Sequence, residues 1–95
     1  MAFVQQTPRT FTRRDIEALN ANQNGVYGLF KQASWIYVGK GDIRQRLLAH
    51  LNGDNACITR EQPTHWVTEV LAGDASEREK QLILELDPVC NKKIG

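Results

Sequence analysis

At 95 residues, 41% hydrophobic and 24% charged, the chain has the composition of one ordinary globular domain and is too short for a second independent core. Its net charge of +1, from 12 basic and 11 acidic residues, excludes a wholesale basic binder, so contact with a polyanion would have to come from local clusters. A core this small leaves little room for buried charge that serves no purpose.

Residues 1–10 are polar and read as a frayed start, after which Thr12 with Asp15 three positions on marks a helix from Arg13 to about Ala21. Asn22-Gln23-Asn24-Gly25 is a turn. The runs from Gly25 to Lys31 and from Ser34 to Gly39 then read as two strands of a hairpin. Asp42 can cap a helix that reaches Leu51, because Ile43, Leu47, Leu48 and Leu51 recur at helical spacing. Residues 52–62 read as a mobile loop, His65 to Leu71 as a third strand, and Ala75 to Leu86 as a closing helix stopped by Asp87-Pro88. The expected order is α-β-β-α-β-α in one compact unit, with residues 1–24 as a helical extension of a domain spanning 25–95. No segment is long and apolar enough to cross a bilayer, and Cys57 and Cys90 lack CxxC spacing. The expectation is a cytoplasmic protein, away from membranes, with reduced structural thiols.

On the closing helix, Ala75, Leu82, Ile83 and Leu86 share one arc, and Glu79 falls inside it while Glu77, Arg78, Lys80 and Glu85 fall outside. A carboxylate aimed at a core calls for a cation, either an arginine in a buried ion pair or a metal. On the preceding helix, Arg46 and His50 sit four apart on one edge of the apolar stripe, an arrangement that by itself is ordinarily solvated surface. Arg44 lies on a different side of that helix. The hairpin carries Tyr27 and Tyr37, residues usual in strands for their packing. They face the same way if the loop holds an odd number of residues without a bulge, and a two-residue loop would split them across the sheet.

Gly25-Val26-Tyr27, Tyr37-Val38-Gly39, Arg46, Glu79, Pro88 and Asn91, in this order and spacing, resemble the GIY-YIG nuclease family across positions 25–91. The resemblance implies an α+β fold in which a small three-stranded antiparallel sheet is flanked by helices. It also implies a divalent-metal-dependent endonuclease that hydrolyses phosphodiester bonds in nucleic acid, with DNA the expected substrate. Residue by residue, Glu79 matches the protein's direct ligand to Mg²⁺ or Mn²⁺, and Tyr37 matches the general base that takes a proton from the attacking water. Tyr27 matches a supporting hydroxyl and Arg46 the arginine that holds the scissile phosphate. Lys40, His50 and Asn91 match supporting positions.

The segment between Tyr37-Val38-Gly39 and Arg46 is one residue shorter than in the relatives, which makes Arg44 a rival for the phosphate-holding position. The four-residue step from Arg46 to His50 favours Arg46. A tyrosine ionising near pH 10 is a poor base at neutral pH, so the implied mechanism requires positive charge close to Tyr37, for which Lys40, Arg46 and a metal are available. Near-neutral net charge keeps open an inactive module that binds nucleic acid or protein on the same fold, and a homodimer or a protein partner that supplies specificity. Arg9, Arg13, Arg14, Lys92 and Lys93 would extend a phosphate-contacting surface if they lay beside Arg46.

Overall fold

In the structure, a computed structural model that describes residues 3–91, the chain runs β1 (Arg9–Thr10), α1 (Arg13–Glu17), β2 (Asn24–Lys31), β3 (Ser34–Asp42), α2 (Ile43–Leu51), α3 (Ala56–Glu61), β4 (His65–Val70) and α4 (Ser76–Leu86). A 3-10 turn, Val89–Asn91, follows α4. The strands form one antiparallel sheet in the order β1-β4-β2-β3, so the α+β class agrees with expectation while the strand count rises from three to four. The added strand is the two-residue β1, too short to leave a pattern in sequence. It pairs Arg9 with Trp66 and Thr10 with His65. Trp66 fixes it further, because its indole Nε1 donates to the Thr10 carbonyl at 2.8 Å and the Arg9 guanidinium lies over its ring at 5.2 Å.

The central strand β2 explains why the sheet is buried on both faces. Tyr27 and Leu29 point into one core with Ile16, Ile43, Leu47, Ile58 and Trp66, under the side of the sheet covered by α1, α2 and α3. Val26 points into a second core with Phe3, Val38, Val67, Ala75 and Leu82, covered by α4. Alternate residues serve alternate layers, as a pleated strand requires. Phe3 is buried beside Trp35 with ring centroids 5.5 Å apart, so the opening segment, expected to fray, is anchored at residue 3, while residues 4–10 stay exposed and Val4 and Gln6 bond to Glu69 and Thr68.

Three further expectations are corrected. α1 stops at Glu17 and not near Ala21, since Leu19 N–H already turns back to the Ile16 carbonyl and Asn22 adopts a left-handed φ of 64°. The segment read as a loop holds α3, capped by the Asn55 side chain, which accepts from the amides of Cys57 and Ile58, and ended by Gln62 in the left-handed region ahead of Pro63. Ile58 anchors it in the core. Cys57 on α3 and Cys90 in the 3-10 turn form a disulfide with Cα atoms 5.7 Å apart, in place of two reduced thiols. The signal was weak in sequence because the two lie 33 positions apart, and only the fold brings the end of the chain back onto α3.

Candidate active site

Tyr27 and Tyr37 reach one face of the sheet through an irregularity. The turn between β2 and β3 has two residues, Gln32 and Ala33, which in a regular hairpin would send the phenols to opposite faces. Lys31 pairs with Ser34 and Phe30 with Trp35, but Leu29 then pairs with Tyr37, leaving Ile36 as an extra residue on β3. This bulge shifts the phase of everything beyond it by one, so Tyr37 turns to the side of Leu29 and Tyr27. Their ring centroids are 6.2 Å apart. Gly39, the partner of Tyr27 in register, is what lets that ring lie flat over β3, for a Cβ there would stand 2.4 Å from the Tyr27 hydroxyl oxygen.

α2 supplies the next two groups. Asp42 caps it by accepting from the Gln45 amide, and Ile43 and Leu47 seat it on the sheet. That seating turns His50, expected at the solvated edge, inward to 2% exposure, where its Nε2 meets the Tyr27 hydroxyl at 2.7 Å. His50 also stacks edge-on to Tyr37 at 5.1 Å between centroids. Arg46, one turn earlier, stays half-exposed beside Tyr27.

A further residue joins them that the sequence reading assigned to the loop. α2 ends in a Schellman closure: Gly53 N–H bonds to the His50 carbonyl, Asp54 N–H to the Ala49 carbonyl, and Gly53 takes a φ of 90°. The closure folds Asp54 back over the helix end. One of its oxygens meets His50 Nδ1 at 2.7 Å and the other accepts from the Arg46 guanidinium at 3.1 Å. The continuation of the Arg46-to-His50 spacing by another four residues was the signal that could have found it.

α4 covers the opposite face of the sheet and packs against β3, and it brings Glu79 close enough for its charge to raise the pKa of Tyr37. Glu79 is half-buried, and burial raises its own pKa, with Lys40 pulling it back. Arg78 beside it is occupied with Glu69, to which it makes two hydrogen bonds of 2.9 Å. Among the described residues no hydrogen bond or ion pair engages the Glu79 carboxylate. Lys40 itself donates to the Ser76 hydroxyl at the start of α4. No group of three or more His, Cys, Asp or Glu is gathered as a metal cluster among the described residues. The two outermost expectations separate. Asn91 lies at the β3 edge, where its amide accepts from Val38 N–H at 2.7 Å and donates to the Val38 carbonyl at 2.9 Å. Arg44 lies elsewhere, lining a surface hollow of about 300 Å³ with Ala21, Asn22, Asp42, Gln45 and Leu48. Arg9 and Arg13 engage Trp66, Glu17 and Asn52, and Lys92 and Lys93 fall outside the described residues.

The electrostatics follow from these neighbours. Burial is the main reason the Tyr27 phenol ionises far above its ordinary value, with Tyr37 adding to the shift and Arg46 opposing it. Burial also raises Tyr37, and Glu79 raises it further against the pull of Arg46. His50 is lowered by burial although Asp54 favours its cation, and is therefore neutral at pH 7. Burial raises Asp54, but His50 and Arg46 outweigh it and hold the carboxylate below the usual range. At neutral pH the set consists of two phenols, a neutral imidazole, a guanidinium and two carboxyl groups. Comparison of the chain with protein-family models, with curated proteins and with solved structures found no match.

Proposed function

We propose that this protein is a divalent-metal-dependent nuclease that hydrolyses phosphodiester bonds in nucleic acid, with DNA as the expected substrate and Mg²⁺ or Mn²⁺ as the cation. The observation that carries the reading is convergence. Tyr27 from β2, Tyr37 from β3, and Arg46 and His50 from α2 gather on one side of the sheet, and Glu79 from α4, the helix that covers the other side and packs on β3, is near enough for its charge to act on Tyr37, in the set that the resemblance to GIY-YIG nucleases implies. A half-buried carboxylate with a raised pKa and no protein partner among the described residues also fits a cation ligand better than it fits a structural role.

Each side chain then has a task that its surroundings support. Arg46, half-exposed and steadied by Asp54, presents a guanidinium that can take two oxygens of a phosphate at once. Glu79 would hold the divalent cation, which when bound offsets negative charge on the phosphate and leaving oxygen. Burial holds both phenols protonated at neutral pH, so neither is a ready-made base. Of the two, Tyr27 has a proton acceptor already in hydrogen-bonding reach, the Nε2 of a neutral His50. Tyr37 lies close to Glu79, and positive charge there would reverse the present upward push on its pKa, which suits the water-deprotonating role that the resemblance implies.

The cytoplasmic expectation belongs to this reading too and meets an obstacle in Cys57–Cys90, since such a bond persists in oxidising compartments. Among the described residues no helix is long and apolar enough to cross a membrane.

The decisive experiment is incubation of a panel of linear, nicked and branched DNA, and of RNA, with Mg²⁺ or Mn²⁺. Cleavage by the unaltered protein that is lost in Glu79→Ala supports the proposal. Binding unchanged by Glu79→Ala, with no cleavage under any metal, would instead mark a module that holds nucleic acid without cutting it.

A further inference from the structure

Asp54 joins His50 to Arg46 through its two separate carboxylate oxygens. Its carboxylate is ionised at neutral pH and can only accept. The proton of neutral His50 must therefore sit on Nδ1, facing Asp54 at 2.7 Å, and Nε2 is left bare to accept from the Tyr27 hydroxyl, also at 2.7 Å. The second Asp54 oxygen meanwhile holds the Arg46 guanidinium at 3.1 Å.

We propose that Asp54 is a positioning residue that fixes the histidine tautomer on which Tyr27 depends and at the same time aims the phosphate-holding Arg46. The proposal rests on the nuclease reading for its consequence in catalysis, but its geometric content stands alone. With the tautomer fixed, Tyr27 is the donor to His50, and its oxygen lone pairs are turned away from the imidazole toward Arg46 and the site. If the Tyr27 hydroxyl takes a proton from water, its own proton passes to His50 Nε2. The imidazolium so formed is balanced by Asp54 and returns the proton to solvent after the phosphodiester is cut. The reverse tautomer would place Nε2–H against the Tyr27 oxygen, occupying a lone pair and closing that route. The groups facing the imidazole are Tyr27 from β2, Tyr37 from β3, and Arg46 and Asp54 from α2 and its terminus. Among these only Asp54 contacts Nδ1, and so only it selects the tautomer. Gly53 makes the contact reachable, because the left-handed turn at that position reverses the chain over the end of α2.

Two substitutions separate the two duties. In Asp54→Asn the amide oxygen can still accept from Arg46 while its NH₂ faces His50 Nδ1, so the arginine is kept and the tautomer is reversed. In Asp54→Ala both contacts are lost. The tautomer is read directly from two-bond ¹⁵N–¹H correlations of the His50 ring near pH 7.5, with no need for substrate. The expected results are Nδ1–H in the unaltered protein and Nε2–H in Asp54→Asn. Metal-dependent cleavage should show kcat falling by about 10- to 100-fold in Asp54→Asn with KM little changed, a range usual for groups that orient a functional histidine. Asp54→Ala should add a rise in KM as Arg46 is released. An Nε2–H tautomer in the unaltered protein, or an Asp54→Asn variant with unchanged tautomer and unchanged kcat, overturns the proposal. If the unaltered protein cuts nothing, the nuclease reading falls, and the ring spectra still decide the role of Asp54.

Discussion

Tyr27 and Tyr37 face the same side of the sheet because Ile36 is an unmatched residue on β3, and without it the two-residue turn would send the second phenol into the opposite core. The site is thus built on a local departure from regular pairing close to the turn. The departure only helps if the chain can also tolerate a tyrosine ring laid across β3.

That tolerance is supplied by Gly39, and Gly39→Ala is expected to remove it. The new methyl would meet the Tyr27 Oη and Cζ at 2.4 and 2.5 Å and Tyr37 Cε2 at 2.8 Å, so both rings must move. Overpacking of this kind costs about 1–3 kcal/mol, readable as a lower urea midpoint, with cleavage falling more than stability. Gly28→Ala is the control. It crowds Phe3 and Trp35 on the other face and should lower the urea midpoint while leaving the Tyr27–His50 hydrogen bond intact.

Asn91 is expected to matter through the strand it closes. β3 is the sheet edge, and the Asn91 amide makes with Val38 the pair of bonds that a neighbouring strand would make. Val38 sits between Tyr37 and Gly39, so the clamp holds the stretch that presents the phenol. Asn91→Ala leaves both Val38 backbone groups without that partner and should cost about 1–3 kcal/mol. Amide hydrogen exchange at Val38 should speed up more than exchange at Val26 on the interior strand. Equal acceleration at both would show a global loss of stability and not a loosened edge.

Helical periodicity was sufficient to place Glu79 on the inner arc of α4, because Ala75, Leu82, Ile83 and Leu86 share that arc while Glu77, Lys80 and Glu85 fall outside it and are exposed. It placed Arg46 and His50 together for the same reason, yet misjudged His50, whose burial depends on a tyrosine from another strand. The relative facing of Tyr27 and Tyr37 was not legible, since nothing in Ile36 announces a bulge. Asp54 and the disulfide were missed for a shared reason: each depends on where a chain reversal ends, and the reversal at Gly53 and the return of the C-terminal segment to α3 are set by tertiary packing. β1 has two residues and gains its identity wholly from Trp66 and His65 across the ladder.

Tyr27 makes stability depend on alkaline pH. Its folded pKa lies well above the unfolded value near 10, so the folded state retains a proton that the unfolded state releases as pH rises through that value. The stability associated with this group is complete below pH 10 and is lost progressively above it, with a limiting slope of about 1.4 kcal/mol per pH unit. Urea midpoints measured from pH 8 to 11 should therefore fall above pH 10, and fall less steeply in Tyr27→Phe. A slope unchanged by that substitution would mean that the phenol ionises in the folded protein as freely as in solution.

The disulfide yields the last expectation, that reduction lowers stability and disturbs the site from a distance. Cys57 and Cys90 close a loop with a separation of 33 residues, and a crosslink of that span typically contributes about 2–4 kcal/mol. Cys90 also immediately precedes Asn91, so the bond ties the Val38 clamp to α3, which Ile58 anchors in the core beside Tyr27. Dithiothreitol should lower the thermal midpoint of the unaltered protein and leave Cys57→Ser/Cys90→Ser unaffected. Amide exchange at Val38 should rise on reduction, as in Asn91→Ala, because the turn that carries the clamp has lost its tether. Alkylation followed by mass spectrometry, on protein taken directly from its native source, tests the premise. Two alkylated cysteines before reduction would mean that the bond is absent where the protein works, and the cytoplasmic expectation would regain its ground.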